Sequence, residues 1–492
     1  MLSKLFVHTS NYSIGNLLVM LAGFVSFPVF TRLLSVEDYG LLGLVSGTVA
    51  LLTGVAKFGL QHSVVRFYAD ARAGKAGVTL GEYNFTVLTA MAATGLAVAV
   101  LWALASQVIA PSLLKEERIA GLFLLTSVLI VVRTVDSTLT NLLRAQERSA
   151  VLSAYTVIRK YVTVGTIVVV LLYLVDGAYG FFVATIAAET AMLGAALVLA
   201  VNRLGLPIQF TFSSKLLRLL FLFGLPMLGY DLAFLLLDIV SRYVIQAQLG
   251  SRQLGIYMAS LNLTEYAHAI LVSALNQSMI PMYLRLWAEK GEAETRKFIE
   301  ESAHYYLLVA IPVAAGLSAA GGDLMVFLAS EKFQAGSSII PYLISAQMVG
   351  GAATLYGAGL YIHKQTLTLM WVVLGSVAVN LVVNLLLLPR IGIIGAGIAM
   401  LASETFRTVA LALVNRRQFR LAFPFSAAAK FSLIAVVMYL LIVNISLGHG
   451  RIFDLGAKVA VGVISYALIV IVLDRRARSL VRRVATRLGY SG

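Results

Sequence analysis

The chain has 492 residues, 60% of them hydrophobic and only 12% charged, with a mean hydropathy of +0.90. Soluble domains carry about 25% charged residues, so this composition excludes a large water-facing surface. The formal charge of +15 does not indicate nucleic acid, because the basic residues sit in short loops and no hydrophilic stretch is long enough for a separate domain. Absence of cysteine excludes disulfides, thiolate metal sites and a cysteine nucleophile.

An apolar run of about 20 residues crosses a bilayer core of about 30 Å, and such runs recur along the whole chain. The first, at 9–33, is too long for a signal peptide and lacks a small-residue cleavage site, so it reads as a membrane helix. Spans follow at 40–62, 83–105, 119–142, 150–174 and 178–201, completing an expected first bundle of six helices over 1–205. A second bundle of six over 206–420 takes in 216–246, 255–284, 301–328, 336–362, 367–389 and 393–414. Pro226 and Gly229 predict a kink in the first of these. Two extra spans, 428–447 and 455–473, fill 421–474. In the basic tail, 475–492, Leu480, Val481, Val484 and Leu488 predict one apolar side of an interfacial helix. The expected fold is therefore all-α and polytopic, with about fourteen transmembrane helices. With the N-terminus inside, Lys and Arg on that side outnumber those outside by about three to one, which predicts both termini in the cytoplasm. A bacterial cytoplasmic (inner) membrane fits this reading.

The chain repeats features at an offset of 215 residues. Gly40 in Tyr39-Gly40-Leu41 corresponds to Gly255 in Leu254-Gly255-Ile256. Gly177 and Gly180 correspond to Gly392 and Gly395, and Glu189 to Glu404. An even number of spans per repeat gives both halves the same orientation. Parallel repeats of this kind are a transporter signature, with the site near the midplane.

Charges inside spans cost roughly 2.5–3.5 kcal/mol each at a helix centre and usually face a cavity or a partner. One group is cationic: Lys57, Arg133, Arg159 and Lys160. Arg159 and Lys160 are adjacent, about 100° apart on a helix, so at least one is expected to face a central space. Fixed cations in an apolar-walled cavity attract phosphate strongly. The competing reading is local pairing of Arg133 with Asp136, and snorkelling of Lys57. A second group is the stripe Asp231, Asp238 and Arg242, in which Asp238 and Arg242 can pair at one turn. The next span offers Asn262, Glu265 and Asn276 with His268 nearby, and Glu265, if buried, is the best candidate for a protonatable or cation-binding carboxylate. A third group is Glu189, expected to pair with Arg159 or Lys160, and Glu404 with Arg407, expected to pair with each other. No catalytic or metal-ligating constellation is visible. Gly321-Gly322 and Gly350-Gly351 read as helix breaks or close packing.

Several short stretches together resemble a known family. They are Phe27-Pro28, Thr31-Arg32-Leu33-Leu34, Glu37-Asp38-Tyr39-Gly40, Phe58-Gly59-Leu60 and Arg66-Phe67. In the second half they are Phe223-Gly224-Leu225-Pro226, Asp238-Ile239-Val240-Ser241-Arg242, Leu249-Gly250, Leu254-Gly255-Ile256-Tyr257 and Gly392-Ile393-Ile394-Gly395. In order and spacing this resembles the Wzx-type polysaccharide biosynthesis proteins, oligosaccharide flippases of the multidrug/oligosaccharidyl-lipid/polysaccharide (MOP) exporter superfamily. The resemblance implies a MATE-like V of two bundles plus two C-terminal helices. It implies an undecaprenyl-diphosphate-linked oligosaccharide as substrate, moved between leaflets by alternating access, with the cationic group as the pyrophosphate site. Membrane lipids, a polysaccharide polymerase and export machinery are the implied partners. No cofactor is implied, though coupling to H+, Na+ or the membrane potential is open. A cation-coupled multidrug exporter and a lipid II flippase share the fold and stay open as alternatives. Arg32 near the outer end of the first span does not match the N-terminal cation motif of lipid II flippases, which weighs against the latter.

Overall fold

The computed structural model describes residues 2–75, 77–114, 116–270, 274–445 and 450–479, with backbone alone for 2–9, 110–113 and 274–278. The tail residues Leu480, Val481, Val484 and Leu488, and the Asn276 side chain, lie outside the described residues. Among these, every regular element is helical. In order they are α1 (Leu2–Leu33), α2 (Val36–Ala56), α3 (Leu60–Arg72), α4 (Leu80–Leu114), α5 (Glu117–Ala145), α6 (Ser149–Tyr173), α7 (Gly177–Asn202), α8 (Ser214–His268) and α9 (Ala274–Leu328). A 3-10 helix, Glu331–Ser338, precedes α10 (Ile340–Tyr356), α11 (Ala358–Ile362), α12 (Thr366–Ile391), α13 (Ile393–Asn415), α14 (Phe425–Val443) and α15 (Arg451–Leu473).

Among the described residues, twelve helices are long and apolar enough to cross a membrane, or thirteen if the 3-10 helix and α10, bent by 61°, form one span. The expected seventh, eighth and ninth spans fall on only two helices, α8 and α9. Each has 55 residues, more than twice the ~20 that a bilayer core takes. Each is interrupted by one glycine with non-helical backbone, Gly250 (φ 79, ψ 177) and Gly291 (φ 77, ψ −166). Gly250 falls in the gap between the expected seventh and eighth spans and Gly291 in the gap between the eighth and ninth, while Pro226 and Gly229 lie within the helical stretch before Gly250.

The chain forms two compact units, Met1–Gly255 and Ile256–Gly492. This division by packing falls after the first stretch of α8, whereas the repeat reading divides the chain at 205/206. In the first unit α5 is the central strut, packed against α2, α3, α4, α6 and α7. Its buried row includes Ile119, Leu122, Ile130, Leu139 and Leu142. Leu139 and Leu142 join Val64, Tyr68, Tyr83 and Leu220 in one apolar core. In the second unit α13 packs on α10 and α12, while α14 and α15 close over α9. Phe431, Ile434 and Met438 of α14 make the core of that contact with Leu307 and Ile311 of α9.

Two of the glycines spaced 215 residues apart share a backbone conformation. Gly177, which opens α7, and Gly392, which caps α13, both have positive φ (67° and 62°). Gly40 and Gly255 touch each other: a Cβ on Gly40 would lie 2.7 Å from the Gly255 nitrogen, and one on Gly255 would lie 1.8 Å from the Val36 carbonyl oxygen. No side chain fits at either position, so two backbones meet there directly.

Candidate functional site

Every member of the expected cationic group lines one cavity inside the first unit. Its volume is about 1050 Å³, just above the usual range of small-ligand sites. α5 contributes Arg133, Asp136, Ser137 and Thr140, a spacing of three and four that collects them on one face. α6 contributes Thr156, Arg159, Lys160 and Thr163 by the same spacing. Glu189 comes from α7, Lys57 from the C-cap of α2, and Tyr230 and Asp231 from α8. Beside Lys57 two glycines approach closely. Gly59 (φ +74) follows Lys57 and Phe58, and a Cβ on it would lie 1.9 Å from the carbonyl oxygen of Gly224 on α8. That contact ties the α2–α3 turn, and with it Lys57, to the helix carrying Asp231.

The pairing inside the cavity differs from the sequence expectation. Arg133 does not turn to Asp136 on its own helix. Its Nε and Nη2 donate to Glu189 Oε2 and Oε1 at 2.8 and 2.9 Å, a two-pronged bridge from α5 to α7. Asp136, 7% exposed, instead accepts from Arg159 and from the Tyr155 hydroxyl, both on α6. The two ion pairs cross three helices, which neighbouring positions in sequence could not disclose. Asp231 accepts from Gln61 Nε2 at 2.7 Å and lies 2.9 Å from His62 Nε2. Four cations therefore face three carboxylates, and the cavity is of mixed charge rather than purely cationic. Among the described residues, Lys57 and Lys160 have no carboxylate within 4.0 Å. Both are half-buried. Lys57 lies at the C-terminus of α2, where the helix dipole favours a cation. The polar lining that sequence reasoning passed over, Asn16, Thr53, Gln61, Ser137, Thr140, Thr156 and Thr163, surrounds these charges with hydroxyls and amides. The signal for it was present, because Thr156 and Thr163 flank Arg159 and Lys160 at helical spacing.

The remaining candidates sit elsewhere. Asp238 and Arg242 pair on α8 at 2.7 and 2.8 Å, and Arg242 Nη1 also donates to the Gly43 carbonyl of α2 at 2.7 Å. Arg242 is buried and clamps two helices together, so it does not share the cavity with Asp231. In the second unit Glu404 and Arg407 pair on α13 as their spacing predicts, and Arg407 Nη2 reaches the Gly350 carbonyl at 3.1 Å. Glu265 is exposed. Asn262 and His268 on the same stretch are half-buried.

The family model described as "Polysaccharide biosynthesis protein" matches residues 29–337. The chain belongs to that family. A search of curated proteins finds no match. Among solved structures, the chain is similar to "Lipid II flippase MurJ, inward closed conformation" at 13% identity, covering 94% of this chain and 99% of that one, with a TM-score of 0.77. It is similar to an inward-facing multidrug resistance MATE family transporter of the MOP superfamily at 14% identity, covering 84% and 95%, TM-score 0.62. It is also similar to the MATE multidrug transporter DinF-BH at 14% identity, covering 84% and 95%, TM-score 0.59. These likenesses show the MOP-superfamily fold for this membrane-spanning polysaccharide biosynthesis protein.

Proposed function

We propose that this family member is a Wzx-type flippase that moves an undecaprenyl-diphosphate-linked oligosaccharide across the bacterial cytoplasmic membrane by alternating access. The observation that carries the reading is the pair of lysines, Lys57 and Lys160, that have no carboxylate within 4.0 Å among the described residues and line a cavity of about 1050 Å³. A pyrophosphate brings the close anionic partner that those ammonium groups lack. Arg133 and Arg159 share their charge with Glu189 and Asp136, and tune the field while remaining within reach of the head group. The hydroxyl and amide lining suits sugar hydroxyls. Coupling to H+, Na+ or the membrane potential, both termini in the cytoplasm, and work alongside a polymerase and export machinery belong to the same proposal.

The test is export of lipid-linked glycan in cells that depend on this chain. Lys160→Glu should abolish export while the protein still inserts and accumulates; Lys57→Glu should do the same. Normal export by both variants would remove the lysines from the site. The carboxylate Asp231, held by neutral Gln61 and by His62 rather than by an arginine, favours a cation-coupled drug exporter as the second reading. Drug susceptibility that rises on deletion of the chain, with glycan export unchanged, selects it. The MurJ-like fold keeps lipid II as a substrate to be tested beside oligosaccharides.

A further inference from the structure

A second cavity lies wholly in the other unit and has no part in the reading above. It is a groove of about 670 Å³ between α9, α10, α13 and α14, walled by Leu307, Ile311, Ala352, Val409, Ala412 and Val436. Its volume is that of a ligand site. Ser318, Ser345, Thr408 and Tyr439 add hydroxyls, and the Tyr356 hydroxyl, in a residue of the lining that is 7% exposed, is buried without a hydrogen-bond partner among the described residues.

At one end the groove runs into a basic pocket of about 700 Å³, since Arg416 and Leu421 line both. Arg296, Arg417 and Arg420 complete its cationic wall. Arg296 is engaged by Glu292 and lies over the Phe419 ring. The one carboxylate of the pocket, Glu300, accepts from the Ala422 backbone N–H at 2.9 Å. Arg416, Arg417 and Arg420 are exposed and, among the described residues, have no carboxylate within 4.0 Å. The turn bearing them is rigidly built: Asn415 Nδ2 donates to the Phe419 carbonyl at 3.0 Å, and Phe419, 1% exposed, packs edge-on against Trp287. A rigid turn thus carries three guanidinium groups without a close carboxylate, among the described residues, to the mouth of an apolar slot.

We propose that this site holds an anionic phospholipid of the surrounding bilayer, with an acyl chain in the groove and the phosphate on Arg416, Arg417 and Arg420. Hydrocarbon suits the walls, in which apolar side chains outnumber polar ones. The arginine fork suits a phosphodiester, and basic pockets between transmembrane helices recognise anionic lipid head groups. A zwitterionic lipid brings an ammonium group that the same arginines repel.

The experiment is lipid retention by the purified full-length chain, read by native mass spectrometry and by thermal unfolding in detergent. The probes are phosphatidylglycerol, cardiolipin, phosphatidylcholine, undecaprenyl diphosphate and inorganic phosphate. The anionic phospholipids should stay bound and raise Tm. Arg416→Gln/Arg417→Gln/Arg420→Gln should weaken their retention on the order of a hundredfold. Ala412→Phe, which fills the groove and keeps every charge, should also displace them, so that a misfolded triple variant does not decide the result. Equal retention of phosphatidylcholine, displacement by undecaprenyl diphosphate at matched concentration, or the same protection from inorganic phosphate alone would each overturn the proposal. Glycan export is not the readout, so failure of the flippase reading leaves this result intact.

Discussion

Arg133 and Glu189 are a half-buried pair, and removing one member leaves the charge of the other uncompensated. Glu189→Gln should lower stability by about 1–3 kcal/mol. Arg133→Met/Glu189→Leu should recover most of that loss, because an apolar pair of similar volume replaces the bridge. Thermal unfolding of the two variants and the wild type in one detergent checks this non-additivity. Asp474, just beyond α15 and 2% exposed, is the acidic counterpart. Burial would raise its carboxyl, yet hydrogen bonds from Lys430 and from the Ala477 N–H hold it down at about 2. Its folded value is below the ordinary 3.8. Its contribution is therefore complete above the ordinary value and disappears as pH falls through about 2. Asp474→Asn should lower Tm at neutral pH, and the gap to wild type should close between about pH 4 and pH 2. A gap that stays constant through that window would mean the carboxylate charge is not what holds the end of α15. Pairs one turn apart, Glu404–Arg407 and Asp238–Arg242, were legible in the sequence because helical spacing alone brings them together. The Arg133–Glu189 and Arg159–Asp136 bridges were not, because which helix faces which depends on rotation about axes that spacing does not fix.

At the scale of elements, glycine positions report where helices approach each other. Gly40→Ala and Gly255→Ala drive a methyl into backbone atoms at 2.2 and 1.8 Å, so both should sharply reduce accumulation of folded protein. Gly165, on α6 with nothing within 4 Å of a Cβ, is the control. Gly165→Ala should be neutral or stabilise by up to about 1 kcal/mol through helix propensity. Fluorescence-detected size exclusion of the three variants makes the comparison. Most helices were legible from hydropathy, since a bilayer demands long apolar runs. Two of their breaks were legible as well, since Gly250 and Gly291 fall in the short gaps between expected apolar runs, whereas Pro226 sits inside a helical stretch, as a proline can within a membrane helix when neighbours satisfy the freed carbonyl.

At the scale of the whole chain, the absence of cysteine gives a clean background for topology. Single cysteines replacing Arg72 and Arg417 should react with a membrane-impermeant maleimide from the cytoplasmic side alone, and one replacing Lys332 from the opposite side alone. The reverse pattern would invert the orientation that the basic loops imply.

In the first unit's cavity it is lysine, not arginine, that among the described residues lacks a carboxylate within 4.0 Å. An ammonium group is a swivelling point charge that grips phosphate from many angles, whereas a guanidinium locks it in one plane. A carrier must release what it lifts. Loose, orientation-tolerant tethers let a bulky anion turn over and depart without breaking a rigid fork, and substituting arginine for Lys160 should therefore tighten the hold while slowing turnover.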